Sequence, residues 1–196
     1  MAARLLALLA AALLLTGCAS TFRLDNEVRA FSALPAVPAN PAYRFERLPS
    51  QQNDWQAKVE AWADPALFAA GLKRNDAAPR YSVQVFARVQ RVLSPFADPW
   101  DAWGGGVGVG VGVTIGFGSG FMSPFGRMEQ PWYRREVSVI LRELASNQVA
   151  WESHAVADGP WSDNAGVLPA MFSAAMQGFP AAPAGVRKVV IDVPAR

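Results

Sequence analysis

The sequence predicts an α+β fold: an antiparallel sheet of about five to six strands with two helices packed on one face. Three observations carry it. Apolar residues recur at every second position in several separate segments, the period of a half-buried strand. Two other segments place them at helical spacing instead. Polar turn residues join successive strands, which suits hairpins with one wet face and one covered by helices. Residues 21–31 alternate first, with Phe22, Leu24, Val28 and Ala30 on one face and Arg23, Asp25, Glu27 and Arg29 on the other. Residues 34–41 contain three prolines and read as a connector. Residues 42–48 form a second short strand, pairing Tyr43 and Phe45 against Arg44 and Glu46.

A helix follows, capped by Asn53 or Asp54, with Trp55, Val59 and Trp62 on its apolar face. Pro65 interrupts it. Asp64-Pro65 could equally start a new segment through Leu67 that ends at Gly71, so a kinked or two-part helix is expected. Residues 81–92 return to alternation through Tyr81, Val83, Val85, Ala87 and Val89. Residues 133–141 do the same through Tyr133, Val137, Val139 and Leu141, and residues 149–156 continue it through Trp151. Ser146-Asn147-Gln148 is the hairpin turn between these two. Val167, Leu168, Met171, Phe172, Ala175, Met176 and Phe179 then recur at helical spacing, closed by Gly178 and Pro180. Residues 187–193 are a last strand, giving the order β-β-α-β-β-β-α-β.

The N-terminus carries a different signal. One cation, Arg4, precedes an 11-residue apolar run from Leu5 to Leu15, followed by Thr16-Gly17-Cys18. This is the pattern of a secretory leader, and the run is well short of the ~18–20 residues that a spanning helix needs. Leu15-Thr16-Gly17-Cys18, which holds the chain's one cysteine, resembles the lipobox of bacterial lipoproteins. That resemblance implies cleavage between Gly17 and Cys18, removal of residues 1–17, and diacylglycerol on the Cys18 sulfur. Two acyl chains already anchor stably where one binds only marginally. Ala19-Ser20 lacks the aspartate that retains such proteins at the inner membrane, so the periplasmic face of the outer membrane is expected. The first strand is expected to start three or four residues after the anchor, so at about 3.3 Å per extended residue the domain would lie within roughly 15 Å of the membrane.

Residues 18–196 are expected to form one domain. Arg4 is the leader's only charge, which leaves 17 basic against 16 acidic side chains. That balance argues against nucleic acid, which calls for a basic excess to neutralise phosphates. Acylation of Cys18 removes the only thiol, so no disulfide and no thiolate metal site is expected.

Several stretches come in a familiar order: the lipobox, Tyr43-Arg44-Phe45, a helix ending Ala70-Gly71-Leu72 and Tyr81-Ser82-Val83-Gln84-Val85. Tyr133-Arg134-Arg135, Val149-Ala150-Trp151-Glu152 and Gly178-Phe179-Pro180 complete the succession. Together they resemble the bacterial lipoprotein family called domain of unknown function 4136, over most of residues 18–193. The resemblance implies fold and location only, because the family has no established activity or catalytic residues. Pro65 and a long glycine segment depart from its pattern.

That segment, the insertion at 104–121, has nine glycines between Gly104 and Gly120 and alternates glycine with valine from Gly106 to Val113. It has neither a G-x-G-x-x-G register nor a Lys-Ser or Lys-Thr after a glycine, so no nucleotide site is expected. The period is two, and glycine at this density disfavours a helix. As a strand it would present Val107, Val109, Val111, Val113, Ile115 and Phe117 on one face and nearly bare backbone on the other. Trp100, Trp103, Phe121, Phe125 and Trp132 flank it, and tryptophan favours membrane interfaces. A flexible insertion is one reading; contact with the membrane or with another copy is the other.

Little else suggests chemistry. His154 is the only histidine, set by alternation on the solvent side with Ala150 and Glu152, and no metal site is expected from it alone. No G-x-S-x-G elbow accompanies it. Asp98 and Asp101 flank a turn, Arg134 and Arg135 read as a solvated charged face, and Trp55, Trp62 and Trp151 read as core. The expectation is a membrane-anchored periplasmic lipoprotein without cofactor. It would act by binding or in envelope assembly, with the lipoprotein processing and sorting machinery and an unidentified envelope protein as partners. An envelope hydrolase using His154 or the Asp98/Asp101 pair is the competing class.

Overall fold

The computed structural model describes residues 20–96, 131–183 and 185–194. It is an α+β fold with strands β1 (Thr21–Ser32), β2 (Ala42–Phe45), β3 (Lys73–Arg74), β4 (Tyr81–Val92), β5 (Trp132–Glu143), β6 (Val149–Gly159) and β7 (Arg187–Pro194). Helix α1 spans Asp54–Ala69 and helix α2 Asn164–Met176. The sheet runs β3-β2-β4-β5-β6-β1-β7. It therefore has seven strands, not five to six, and is mixed: β2 pairs parallel with both β3 and β4, and the other ladders are antiparallel. Parallel neighbours need a long crossover, which α1 supplies between β2 and β4. β3 has only two residues, both exposed, and leaves no periodicity to read.

Both helices pack side by side on one face, α1 over β4 and α2 over β1, β5, β6 and β7. Asn53 caps α1, its side-chain oxygen accepting from the Gln56 amide at 2.9 Å. α1 is one helix with Pro65 inside it, not two segments. The carbonyl that Pro65 leaves without an amide belongs to Ala61, on the exposed side where water reaches it. The buried stripe is Gln56, Val59, Glu60, Ala63, Ala66 and Leu67. Trp151 is fully buried and Trp62 packs half-buried against the core, as expected of core tryptophans, whereas Trp55 is 41% exposed at the stripe's margin, edge-on to Trp62 with centroids 5.6 Å apart. The α2 stripe is buried from Val167 to Met176, and Phe179 meets Trp151 edge-on at 5.2 Å.

β1 alternates as read, with Leu24 and Val28 buried and Arg23, Asp25, Glu27 and Arg29 exposed. β6 departs from strict alternation. Its register with β5 shifts at Leu141/Arg142, a bulge that buries Ala150 and Trp151 together. Ala150 is thus in the core and not beside His154. Asn147 turns the β5–β6 hairpin with a φ of 57°.

Candidate functional site

Strand polarity gathers several chain ends at one end of the sheet. Thr21 opens β1 there, opposite Pro194 of β7. β4 ends there at Val92, opposite Trp132, and Tyr133 faces Gly159 at the end of β6. Cys18 and Gly17, the expected cleavage point, and Trp100, Trp103, Val107, Val109, Val111, Val113, Phe117 and Phe121 lie outside the described residues, as do Asp98 and Asp101. The residues from which those two segments depart are described, and both departures are from this end.

Aromatic side chains shape it. Trp161 stacks on Phe22 with centroids 4.5 Å apart and planes 19° apart. The indole lies directly over the Gly159 backbone, where an added Cβ would run into Trp161 Cζ3. Leu93 and Phe96 are 72% and 83% exposed, and Phe96 meets the half-buried Trp132 edge-on at 5.8 Å.

Arg135 corrects the sequence reading: it is 1% exposed, while Arg134 next to it is solvated. The parity of β5 puts Arg135 on the covered face with Val137 and Val139. Its Nε donates to Asn164 Oδ1 at 3.0 Å, its Nη2 donates to the Trp161 carbonyl, and its guanidinium lies 5.1 Å from the Tyr133 ring centroid. Burial lowers its pKa, opposed by Tyr133 and Asp163. Arg135 ties the loop after β6 and the start of α2 to the sheet, which holds the aromatic end in place. Its parity with Val137 and Val139 was the available signal.

His154 is exposed and pairs with the Glu152 carboxylate at 2.8 Å, beside Arg29 and Phe31. A groove of about 400 Å³ opens where β1 leaves β6 for β7, lined by Asp25, Glu27, Arg134, Asp158, Arg187 and Lys188. Its charges are largely matched: Lys188 meets Asp25 at 2.6 Å, and Arg134 meets Asp158 at 3.5 Å. Neither sign of ligand is selected. Among the described residues no group of three or more His, Cys, Asp or Glu converges, and no helix is long and apolar enough to cross a membrane.

The family model for a domain of unknown function, DUF4136, matches residues 28–181. The chain belongs to the DUF4136 family. Among curated proteins nothing matches it. Solved structures similar to this DUF4136 chain include a PDZ domain protein from Parabacteroides distasonis, at 14% identity and a TM-score of 0.48, covering 95% of this chain and 42% of that one. The PelC dodecamer from Paraburkholderia phytofirmans is similar at 11% identity and a TM-score of 0.46, and a variant of it at 13% and 0.44. Each covers 77% of this chain and 94% of PelC.

Proposed function

We propose that this DUF4136 protein is a lipoprotein anchored through Cys18 in the periplasmic face of the outer membrane, and that it acts without catalysis, by binding an envelope partner. One observation carries the reading: the strand that follows Cys18 begins at the sheet end where Phe96, Leu93 and Trp132 are displayed. Three residues of tether span only about 10 Å, so that end faces the bilayer and its aromatic side chains lie at interface depth. The same polarity favours a role for the Gly/Val segment, because the strands flanking residues 104–121 also end there. In this second reading Trp100, Trp103 and the valines contact the membrane or another copy.

Cys18→Ala in the full chain tests the anchor. The expected result is loss of labelling by radioactive palmitate and retention of the leader. Unchanged labelling and processing would sink the proposal. Deleting residues 104–120 tests the second reading: unchanged detergent extraction and oligomer size would remove it.

A further inference from the structure

We propose that Arg44, Ser82 and Arg142 form an oxyanion site on the uncovered face of the sheet, and that a carboxylate of the envelope partner occupies it. This deepens the binding role proposed above and rests on it. Register puts the three side chains in one row: Arg44 of β2 lies beside Ser82 of β4, which lies opposite Arg142 of β5. Their chain neighbours Tyr43, Tyr81, Val83 and Leu141 are buried in the core, so the row is on the face away from the helices. Strands are about 4.8 Å apart, so the two arginines flank Ser82 with Cα atoms roughly 10 Å from each other.

The row is rich in donors and poor in acceptors. Ser82 is 1% exposed, yet its hydroxyl oxygen has no hydrogen-bond partner among the described residues. A buried hydroxyl left in that state calls for a reason. Arg44 is exposed and has no ion pair among the described residues. Arg142 has none either; its Nη1 donates to the Asn147 carbonyl at 2.9 Å, which leaves its other donors free. Lys73 of β3, beside Ala42, adds a third cation at the same corner. The carboxylates near the row are Glu46, exposed two positions along from Arg44, and Glu143, already held by Arg80 and Ser146. An oxyanion between the guanidinium groups takes charge-assisted hydrogen bonds from both, and the Ser82 hydroxyl donates a third.

Position selects the source of that oxyanion. Ser82 lies near the start of β4, and Val92 ends the same strand at the aromatic end. At about 3.3 Å per residue the row is roughly 33 Å from that end. In the orientation proposed above it is out of reach of lipid phosphates and open to a protein in the periplasm, whose acidic side chains or C-terminus supply carboxylates.

The test titrates full-length, detergent-solubilised protein into fluorescein-labelled hexaglutamate and reads fluorescence anisotropy. Arg44→Gln and Arg142→Gln should each weaken binding about tenfold, the loss expected for a hydrogen bond to a charged group. Ser82→Ala keeps both charges and should weaken it several-fold. Arg23→Gln, on the same face at the aromatic end, is the control and should leave it unchanged. Far-UV circular dichroism shows that each variant is folded. Absence of saturable binding overturns the proposal, as does an unchanged affinity in Ser82→Ala or an equal loss in Arg23→Gln. Displacement of the peptide by inorganic phosphate at a lower concentration than by glutarate, also a dianion, overturns the assignment to a carboxylate. Palmitate labelling of Cys18 does not enter this measurement, so failure of the anchor and failure of the oxyanion site are told apart.

Discussion

Gly159→Ala is the sharpest test of how the aromatic end is built. The glycine lies outside the left-handed region, so alanine is allowed by the backbone, and the nearest obstacle is the Trp161 ring, into which the new Cβ would run. Trp161 must move, which costs overpacking strain of about 1–3 kcal/mol. It also breaks the Phe22 stack, whose geometry contributes about 0.5–1.5 kcal/mol beyond buried area. The expected destabilisation is about 2–3 kcal/mol in urea titrations followed by far-UV circular dichroism. In a Trp161→Ala background the obstacle is gone, and the same substitution should change stability by less than about 0.5 kcal/mol. The coupling between the two sites is then about 2 kcal/mol. Equal costs in both backgrounds would refute the account and place the requirement for glycine in the β6 backbone itself.

Arg135→Ala should cost about 3 kcal/mol, because it empties a buried site and leaves the Trp161 carbonyl and Asn164 without their donor; Arg135→Met, which keeps the volume, should cost less. The same urea titrations rank the two. The Tyr43 phenol is raised far above its ordinary value, first by burial and then by its bond to Asp64. The folded state therefore keeps a proton that the unfolded chain loses near pH 10, so this stabilisation is complete below that pH and is lost as pH rises beyond it. Tyr43→Phe should flatten the alkaline fall of the urea midpoint. Glu143 is held below the usual carboxylate range by the Ser146 hydroxyl and then by Arg80. Its contribution is present above the ordinary carboxylate value and is lost as pH falls through the lowered one; Ser146→Ala should narrow that acid limb. Asn53→Ala, which removes the α1 cap, should cost about 1 kcal/mol in the urea titrations.

Alternation along β1, β4 and β5 and helical spacing along α2 were legible because both depend on neighbours two to four positions away. They identified the covered face of each element and gave the α+β class. The likeness of Leu15-Thr16-Gly17-Cys18 to a lipobox is legible for a different reason, since such a pattern is linear. What needed the tertiary structure was every relation between distant segments. β3 exists only because β2 offers it two partners, and the Ala150 bulge exists only in register with Leu141 and Arg142. Arg135 reads as surface charge beside Arg134 until the Trp161 carbonyl and Asn164 close over it. The meeting of Thr21, Val92, Trp132 and Gly159 at one end depends on strand polarity. Local spacing sets which face of a segment is apolar; only long-range pairing sets which segments share an end, and the orientation proposed for the fold rests on that arrangement.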